Sequence, residues 1–172
     1  MENSNTQKRN KVFLIDGSGY IFRAYHALPP MTRSDGTPVN AVYGFTSMLL
    51  KLIDDSDADY LAVIFDTARK TFRSDIYAEY KANRPPPPDD LIPQFSLIRD
   101  ADAAFGVPQA EKEGYEADDL IATYARQAAD AGQQVTIVSS DKDLMQLIDD
   151  DISMLDPLKH TPISYPEVEK RF

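Results

Sequence analysis

The stretch Lys11-Val12-Phe13-Leu14-Ile15-Asp16-Gly17 is a run of apolar residues that ends on Asp-Gly. Four successive apolar residues predict a strand covered on both faces, as in a parallel sheet. The same pattern recurs at residues 60–66 and 134–141, and each of these runs also ends on an aspartate. Helical patterns separate the three runs, so the sequence predicts an α/β fold with an open, mostly parallel sheet flanked by helices.

The remaining elements are predicted from periodicity and turn residues. Apolar residues at helical spacing predict helices at 20–27, 40–54, 91–105, about 116–131 and from 142 onward, and the helix at 91–105 is predicted to be interrupted near its start by Pro93. Two short strands are predicted at 106–110 and 151–155. Gly17 and Gly19 predict a turn before the first helix, and Asn40 is predicted to cap the second. Residues 67–90 are predicted to form a long connection with a helical piece at 74–82, followed by four successive prolines.

A chain of 172 residues with 42% hydrophobic content predicts a single domain. Residues 1–10 are polar and are expected to be a flexible tail, so the domain is assigned to residues 11–172. Ser164 and Glu167 have the spacing that starts a helix, and we therefore expect the chain to be part of a larger protein. We expect a monomer, because nothing in the sequence requires more than one copy.

The sequence contains no cysteine, which excludes disulfides, zinc–thiolate sites and a cysteine nucleophile. This composition suits a reducing compartment. No apolar run is long enough to cross a membrane, and the N-terminus lacks the apolar stretch of a signal peptide. We therefore expect a cytoplasmic protein with no membrane partner.

Carboxylates gather where the predicted sheet would bind a ligand, beyond the carboxyl ends of its strands. Three follow strands and three begin a helix that can reach the same edge: Asp16, Asp66 and Asp141, then Glu116, Asp118 and Asp119. Each of them alone is an ordinary turn, cap or first-turn residue. Together they would repel, since two like charges about 4 Å apart cost about 4 kcal/mol at an effective dielectric near 20. Such a cluster must take up protons, spread out or bind cations.

The residue types favour a divalent cation held by oxygen. The chain has only two histidines, His26 and His160, so a histidine-rich metal site is excluded. Oxygen ligands suit magnesium, manganese or calcium. A bound divalent ion acidifies water and polarises phosphoryl oxygens, which points to phosphodiester hydrolysis. No glycine-rich nucleotide-binding motif is present in the sequence.

One segment is basic although the chain is acidic. Residues 69–84 carry five basic and two acidic side chains, whereas the net charge of the chain is −10. The net charge argues against a simple nucleic-acid-binding module. A basic segment beside an acidic edge is what an enzyme needs to hold a metal ion and a polyanion together. Charge alone fits a solvated loop at least as well.

Six motifs stand in an order that resembles the 5′ nuclease (5′→3′ exonuclease) domain found at the N-terminus of bacterial DNA polymerase I. They are Phe13-Leu14-Ile15-Asp16-Gly17, Phe65-Asp66, Phe72-Arg73, Tyr80-Lys81-x-x-Arg84-Pro85, Gly114-Tyr115-Glu116-Ala117-Asp118-Asp119 and Asp141-Lys142-Asp143-Leu144. That domain belongs to the flap endonuclease family and has a PIN-like α/β fold. The resemblance covers nearly the whole chain from Lys11 on, and the ordered set is specific although each motif is weak alone.

The resemblance implies a nuclease that uses Mg²⁺ or Mn²⁺ at a two-metal site and acts on DNA 5′ ends or flaps, with RNA–DNA hybrids as a further substrate. It assigns the first metal site to Asp16, Asp66, Glu116, Asp118 and Asp119. It places Asp141 and Asp143 between the two sites. Lys81 and Arg84 match the basic pair at the base of the family's helical arch, which contacts the scissile phosphate.

Three further residues are assigned to DNA. Tyr80 is interpreted either as a base-stacking residue or as plain packing, and Arg23 either as a phosphate contact or as a surface arginine; Arg73 is placed in the arch. The family also has a second aspartate pair and a helix–three-turn–helix element beyond the last residue of this chain, so we expect the second metal site to be incomplete. Two alternatives stay open: a non-catalytic fragment that binds DNA or protein, and a PIN-like ribonuclease acting on single-stranded RNA.

Overall fold

The computed structural model describes residues 9–67, 71–83, 85–159 and 161–163, together with Tyr165 and Val168. Three predictions lie outside the described residues: the tail up to residue 8, the role of Arg84, and the helix start at Ser164 and Glu167. None of the helices in the described ranges combines the length and the apolarity that a membrane crossing needs.

Strands and helices alternate along the chain. The strands are β1 Lys11–Asp16, β2 Tyr60–Ile64, β3 Gln109–Ala110, β4 Gln134–Val138, β5 Ile152–Leu155 and β6 Pro162–Ile163. The helices are α1 Gly17–Ala27, α2 Asn40–Asp55, α3 Phe72–Ile76, α4 Gln94–Ala104 and α5 Ala117–Asp130, with a 3₁₀ helix at Lys142–Leu147. The predicted α/β alternation is therefore confirmed.

The strands form one mostly parallel sheet in the order β3-β2-β1-β4-β5-β6. β1 is central, and its Phe13 is in register with Leu61 of β2 and Thr136 of β4. Only β6 runs antiparallel within the described sheet, and it pairs with β5. β6 is two residues long, and the sequence did not predict it.

The apolar run of β1 is buried on both faces, as its sequence predicts. Phe13 and Ile15 face the side of the sheet that α1, α2 and α4 cover, where they pack with Phe45 and Ile98. Leu14 belongs to the second apolar cluster, on the side of α5 and the 3₁₀ helix. Successive side chains of a strand point to opposite faces, so an uninterrupted apolar run suits a strand between two helical layers.

The strand order reverses at β1. β2 and β3 lie on one side of it, and β4 and β5 lie on the other. In sheets of this kind a crevice opens beyond the carboxyl ends of the strands at the point of reversal, and ligands bind there. Asp16, the last residue of β1, lies at this crevice.

The predicted turn at Gly17 and Gly19 is wrong, because α1 begins directly at Gly17. A side chain at Gly17 would place its Cβ 2.6 Å from Cδ1 of Phe65 and 2.8 Å from the carbonyl oxygen of Ile64. Gly17 is therefore required by the close approach of the β2 exit to α1, and not by a turn. The predicted start of this helix at Tyr20 is three residues late.

The predicted cap at Asn40 is also wrong. Asn40 is the first residue of α2, its side chain is buried, and it hydrogen-bonds the carbonyl of Tyr25 and the side chain of Gln94. Oε1 of Gln94 accepts from the N–H of Ala41 at 2.8 Å. Gln94 of α4, 53 positions along the chain from Ala41, therefore caps the start of α2 in place of a neighbouring residue.

The connection after β2 differs from its prediction. The helical piece is Phe72–Ile76, which overlaps the predicted 74–82 only at residues 74–76, and turns follow at 78–83. α4 begins after Pro93 and not at Leu91, since the residues before it form turns. The predicted helix from residue 142 is a single 3₁₀ segment. The two predicted runs that end on Asp66 and Asp141 stop as strands two and three residues earlier.

Candidate metal centre

Asp16 is fixed at the crevice by two hydrogen bonds. Its Oδ1 accepts from the N–H of Gly19 at 2.8 Å, and its Oδ2 accepts from the Ser139 hydroxyl at 2.8 Å. Its side chain is buried, and burial raises the pKa of Asp16; the two hydrogen bonds oppose this shift, while the charges of Asp66 and Asp141 add to it. Asp16 is thus a carboxyl group fixed by hydrogen bonds and repelled by the charges of two other carboxylates.

Asp66 connects the exit of β2 to the start of α5. Its Oδ1 accepts from the backbone N–H of Ala117, the first residue of α5, at 2.7 Å. Its Oδ2 accepts from the hydroxyl of Ser18, in the first turn of α1, at 2.5 Å. The bond to Ala117 satisfies one of the N–H groups that every helix start leaves without an intrahelical partner. One carboxylate therefore holds two helix starts at the edge of the sheet.

Glu116, at the N-cap of α5, is contacted by Arg73, Tyr80 and Lys81 of the connection after β2. Nζ of Lys81 lies 2.8 Å from its Oε1, and the Tyr80 hydroxyl donates to its Oε2 at 3.3 Å. Glu116 is only 8% exposed, so the Lys81 charge offsets a carboxylate that water reaches poorly. Lys81 has φ of 55°, in the left-handed region that favours glycine. The backbone is therefore held in a strained conformation where this contact is made.

Asp119 forms a two-point ion pair with Arg73. Nη1 and Nη2 of Arg73 each donate to one carboxylate oxygen at 2.7 Å. Oδ2 of Asp119 also accepts from the N–H of Glu116 at 3.0 Å, which closes the first turn of α5. The Arg73 hydrogen bonds are the main cause that holds the pKa of Asp119 below its usual range. A predicted metal ligand and a predicted DNA contact are thus bound to each other.

Asp118 shows that the carboxylates share one electrostatic environment. Burial raises the pKa of Asp118 to about 7, together with the charges of Asp16, Asp141 and Asp66, and Lys81 offsets part of this shift. These four carboxylates come from β1, the β2 exit, the β4 exit and α5. The fold therefore gathers side chains that are up to 125 positions apart in the sequence.

Asp141 and Asp143 lie where the 3₁₀ helix begins. Oδ1 of Asp141 accepts from the N–H of Asp143 at 2.9 Å, and the N–H of Asp141 donates to the Ser139 hydroxyl at 3.0 Å. Both aspartates are exposed. Arg23 of α1 hydrogen-bonds the Ser140 hydroxyl, which places its guanidinium group beside the β4 exit. The charge of Asp141 acts on the carboxyls of Asp16 and Asp118 and raises the pKa of each. Asp143 lies farther toward solvent.

The carboxylates share an edge but do not form a finished ligand cage. Within the ranges that the structure describes, no three carboxylate or histidine groups converge closely enough to hold an ion as they stand. Asp16 and Asp66 direct their oxygens at N–H and O–H donors. Glu116 and Asp119 are bound by Lys81 and Arg73. A shared ion would require these side chains to exchange part of their present contacts.

Three supporting residues were not found by sequence reasoning. The hydroxyls of Ser18 and Ser139 bind the carboxylates of Asp66 and Asp16. Arg99 of α4 donates to the backbone carbonyl of Asp66 at 3.2 Å, and its guanidinium carbon lies 4.4 Å from the centre of the Phe65 ring. Ser18 stands two residues after Asp16 and Ser139 stands two residues before Asp141, which is a weak signal. No pattern in the sequence around Arg99 indicates that it lies at this site.

The fold and its acidic edge define a PIN-like α/β domain. The family described as "5'-3' exonuclease, N-terminal resolvase-like domain" matches residues 11–172. The chain belongs to this 5′-3′ exonuclease family.

Two curated relatives support the assignment. DNA polymerase I of Rhizobium leguminosarum is 55% identical over 174 residues, which cover 96% of this chain and 17% of that protein. A 5′-3′ exonuclease of Aquifex aeolicus (strain VF5) is 41% identical over 161 residues, which cover 94% of this chain and 56% of that protein. The chain thus spans only part of the length of each relative.

A solved structure shares the fold. It is a bacteriophage T5 flap endonuclease variant in a pseudo-enzyme–product complex with DNA and metal ions. The alignment has a TM-score of 0.73 at 20% identity and covers 94% of this chain and 60% of that one. At this identity the likeness concerns the fold, and it agrees with the PIN-like architecture that the motifs predict.

Proposed function

We propose that this chain is the core of a divalent-metal-dependent 5′→3′ exonuclease or flap endonuclease, which hydrolyses phosphodiester bonds near DNA 5′ ends. The observation that carries the proposal is the electrostatic coupling of Asp118 to Asp16, Asp66 and Asp141 at the crevice of the sheet. The names of the Aquifex exonuclease and of the T5 complex with DNA and metal ions support it. Because the chain covers only part of each relative, the activity is a proposal for this chain and is not carried over from the whole relatives.

The donor set fits a hard divalent cation. The pKa of Asp118 is raised to about 7 by burial and by neighbouring carboxylates, and Lys81 offsets only part of this shift, so a cation would supply the remaining positive charge. The residues proposed to hold Mg²⁺ or Mn²⁺ are Asp16, Asp66, Glu116, Asp118 and Asp119, with Asp141 and Asp143 between this site and a second, incomplete one. A bound divalent ion acidifies water and polarises the phosphoryl group.

The side chains of the connection after β2 are proposed to handle the phosphate. Lys81 lies against Glu116 at the edge where the phosphodiester would approach. It would exchange this carboxylate for a phosphate oxygen and stabilise the charge that develops there. Tyr80 and Arg73 are proposed to contact the DNA beside Lys81, and Arg23 is proposed to contact it from α1. Arg84 is assigned to the scissile phosphate by resemblance alone. We also propose a monomer that acts in the cytoplasm and accepts RNA in a hybrid duplex.

The test is cleavage of a labelled 5′-flap DNA by the 172-residue chain in Mg²⁺, in Mn²⁺ and in chelator. The variants are Asp66→Asn and Asp118→Asn. Asp130→Asn is a matched control, because Asp130 is exposed at the far end of the same helix, α5. Metal-dependent cleavage that persists in the control and is lost in both site variants is expected. Full activity in either site variant would show that the carboxylates are assigned wrongly.

One observation favours a second candidate, a non-catalytic fragment that binds branched DNA. No three ligands converge in the described part of the chain, and Arg73 and Lys81 are already bound to carboxylates. Under this alternative the chain binds a flap but leaves it intact at every metal concentration. Cleavage by this chain at a rate comparable with that of a longer version would exclude the alternative.

A further inference from the structure

Two aromatic rings form an exposed pair beside the acidic edge. The centroids of the Phe72 and Tyr115 rings are 5.6 Å apart, with an angle of 51° between their planes. Phe72 is 40% exposed and Tyr115 is 41% exposed. Such large apolar surfaces in contact with water cost free energy unless a partner covers them, and an exposed aromatic pair is therefore informative.

The backbone fixes the position of this pair. Thr71 forms an isolated parallel bridge with Gly114, and the N–H of Phe72 donates to the carbonyl of Gly114 at 2.9 Å. Tyr115 directly precedes Glu116, the N-cap of α5. The two rings are therefore held where the connection after β2 meets the start of α5, which carries Asp118 and Asp119 and has Glu116 as its N-cap.

Each ring is accompanied by a cation. The guanidinium carbon of Arg73 lies 4.6 Å from the centre of the Phe72 ring, and Nζ of Lys112 lies 4.6 Å from the centre of the Tyr115 ring. The neighbouring carboxylate of Glu111 is 2.5 Å from Arg99, which offsets its charge. Aromatic rings with interleaved cations suit a polyanion whose bases can stack. The ion pair of Arg73 with Asp119 ties this arrangement to the acidic edge.

We propose that Phe72 and Tyr115 form a stacking platform for the unpaired bases of a DNA 5′ flap, with Lys112 beside the phosphates. This assignment rests on the proposed function and names a substrate contact outside the carboxylate site. Stacking on aromatic rings is tolerant of sequence, because every base has a π face. The platform therefore recognises the single-stranded state of the flap and not its sequence. It leaves the chemistry of the phosphate to the carboxylates and Lys81.

The test compares two flaps on the same duplex. One carries four thymine nucleotides and the other four abasic residues, so that they differ only in their bases. Binding by the 172-residue chain is measured by fluorescence anisotropy in chelator, where no cleavage occurs. The variants Phe72→Leu and Tyr115→Leu keep apolar side chains at both positions. Tyr60→Leu is the control, since Tyr60 is 57% exposed at the amino end of β2, whereas the site carboxylates lie beyond the carboxyl ends of the strands.

The parent chain and the Tyr60→Leu control are expected to bind the thymine flap at least about fivefold more tightly than the abasic flap, the low end of what one stacked base contributes. The preference should fall toward unity in Phe72→Leu and in Tyr115→Leu. Equal affinity of the parent for both flaps, or no binding at all, overturns the platform. A preference that survives in both variants also overturns it. Failure of metal-dependent cleavage would contradict the proposed function and would leave this binding result unaffected.

Discussion

Replacing Asp118 with asparagine should make the protein more stable in chelator at pH 8, although it removes a proposed metal ligand. Asp118 is partly buried, and the charges of Asp16, Asp141 and Asp66 act on it. At pH 8 its carboxyl is ionised in the folded state at a cost that the unfolded chain does not have. Asparagine occupies nearly the same volume without the charge, so it removes this repulsion.

The magnitude follows from the pKa. Folding raises the pKa of Asp118 from 3.8 to about 7. At about 1.4 kcal/mol for each pH unit, the full shift corresponds to about 4 kcal/mol, and we expect about 2–4 kcal/mol because the coupled carboxylates share the repulsion. The folded state binds more protons than the unfolded state between pH 4 and 7, so stability falls as the pH rises through this window. The gain from Asp118→Asn should therefore shrink to about 1 kcal/mol at pH 5.

Urea denaturation at pH 5 and pH 8, in chelator, measures both quantities for the parent, Asp118→Asn and the control Asp130→Asn. Addition of Mg²⁺ at pH 8 should then stabilise the parent and the control more than Asp118→Asn, because ligands that bind only the folded state raise its stability. A loss of stability in Asp118→Asn, or a gain that is the same at both pH values, would refute the reasoning.

Three further predictions concern residues around the site. Asp102 is fully buried in α4, and burial raises its pKa to about 6, although Gln109 and Arg99 oppose part of this shift. Asp102→Asn should therefore stabilise the protein by about 1–2 kcal/mol at pH 8 and by almost nothing at pH 4 in urea denaturation. An equal gain at both pH values would contradict this. Arg73→Lys should lower the free energy of unfolding by about 1 kcal/mol in the same assay, because an ammonium group cannot reproduce the two-point pair with Asp119. The effect is small because both partners are partly exposed. An unchanged urea midpoint would show that the pair contributes nothing to stability. Gly17→Ala should lower the free energy of unfolding by about 1–3 kcal/mol and lower the melting temperature, because the new Cβ would meet the Phe65 ring and a backbone carbonyl. An unaltered melting temperature would mean that the surrounding chain moves to make room for the Cβ.

The parts of the fold that the sequence predicted well are those fixed by burial. The uninterrupted apolar run of β1 requires helices on both faces, and Phe13, Leu14 and Ile15 do face two separate cores. α5 was predicted from its acidic start and its apolar spacing, and the structure begins it at Ala117. The grouping of Asp16 with Asp66 and Asp141 at one edge follows from parallel strands alone.

The parts that were missed depend on contacts between distant residues. Gly17 looks like a turn residue in the sequence, and only the approach of Phe65 explains it. Asn40 looks like a cap, but Gln94 performs that task from another helix. Likewise, nothing local indicates that Arg73 and Lys81 lie against Asp119 and Glu116. Sequence patterns report burial and local geometry, whereas these pairings are set by how the connection after β2 folds back on α5.

The central claim is that the carboxylates at the crevice hold a divalent cation. The most direct measurement is electron paramagnetic resonance of free Mn²⁺ during titration with the 172-residue chain at pH 7.5, for the parent, Asp118→Asn and Asp130→Asn. The parent and Asp130→Asn are expected to bind at least one Mn²⁺, and Asp118→Asn is expected to bind it at least about tenfold more weakly, since the loss of even a supporting residue of a metal site lowers affinity by this much. Absence of binding by the parent, or equal binding by all three proteins, would contradict the central claim.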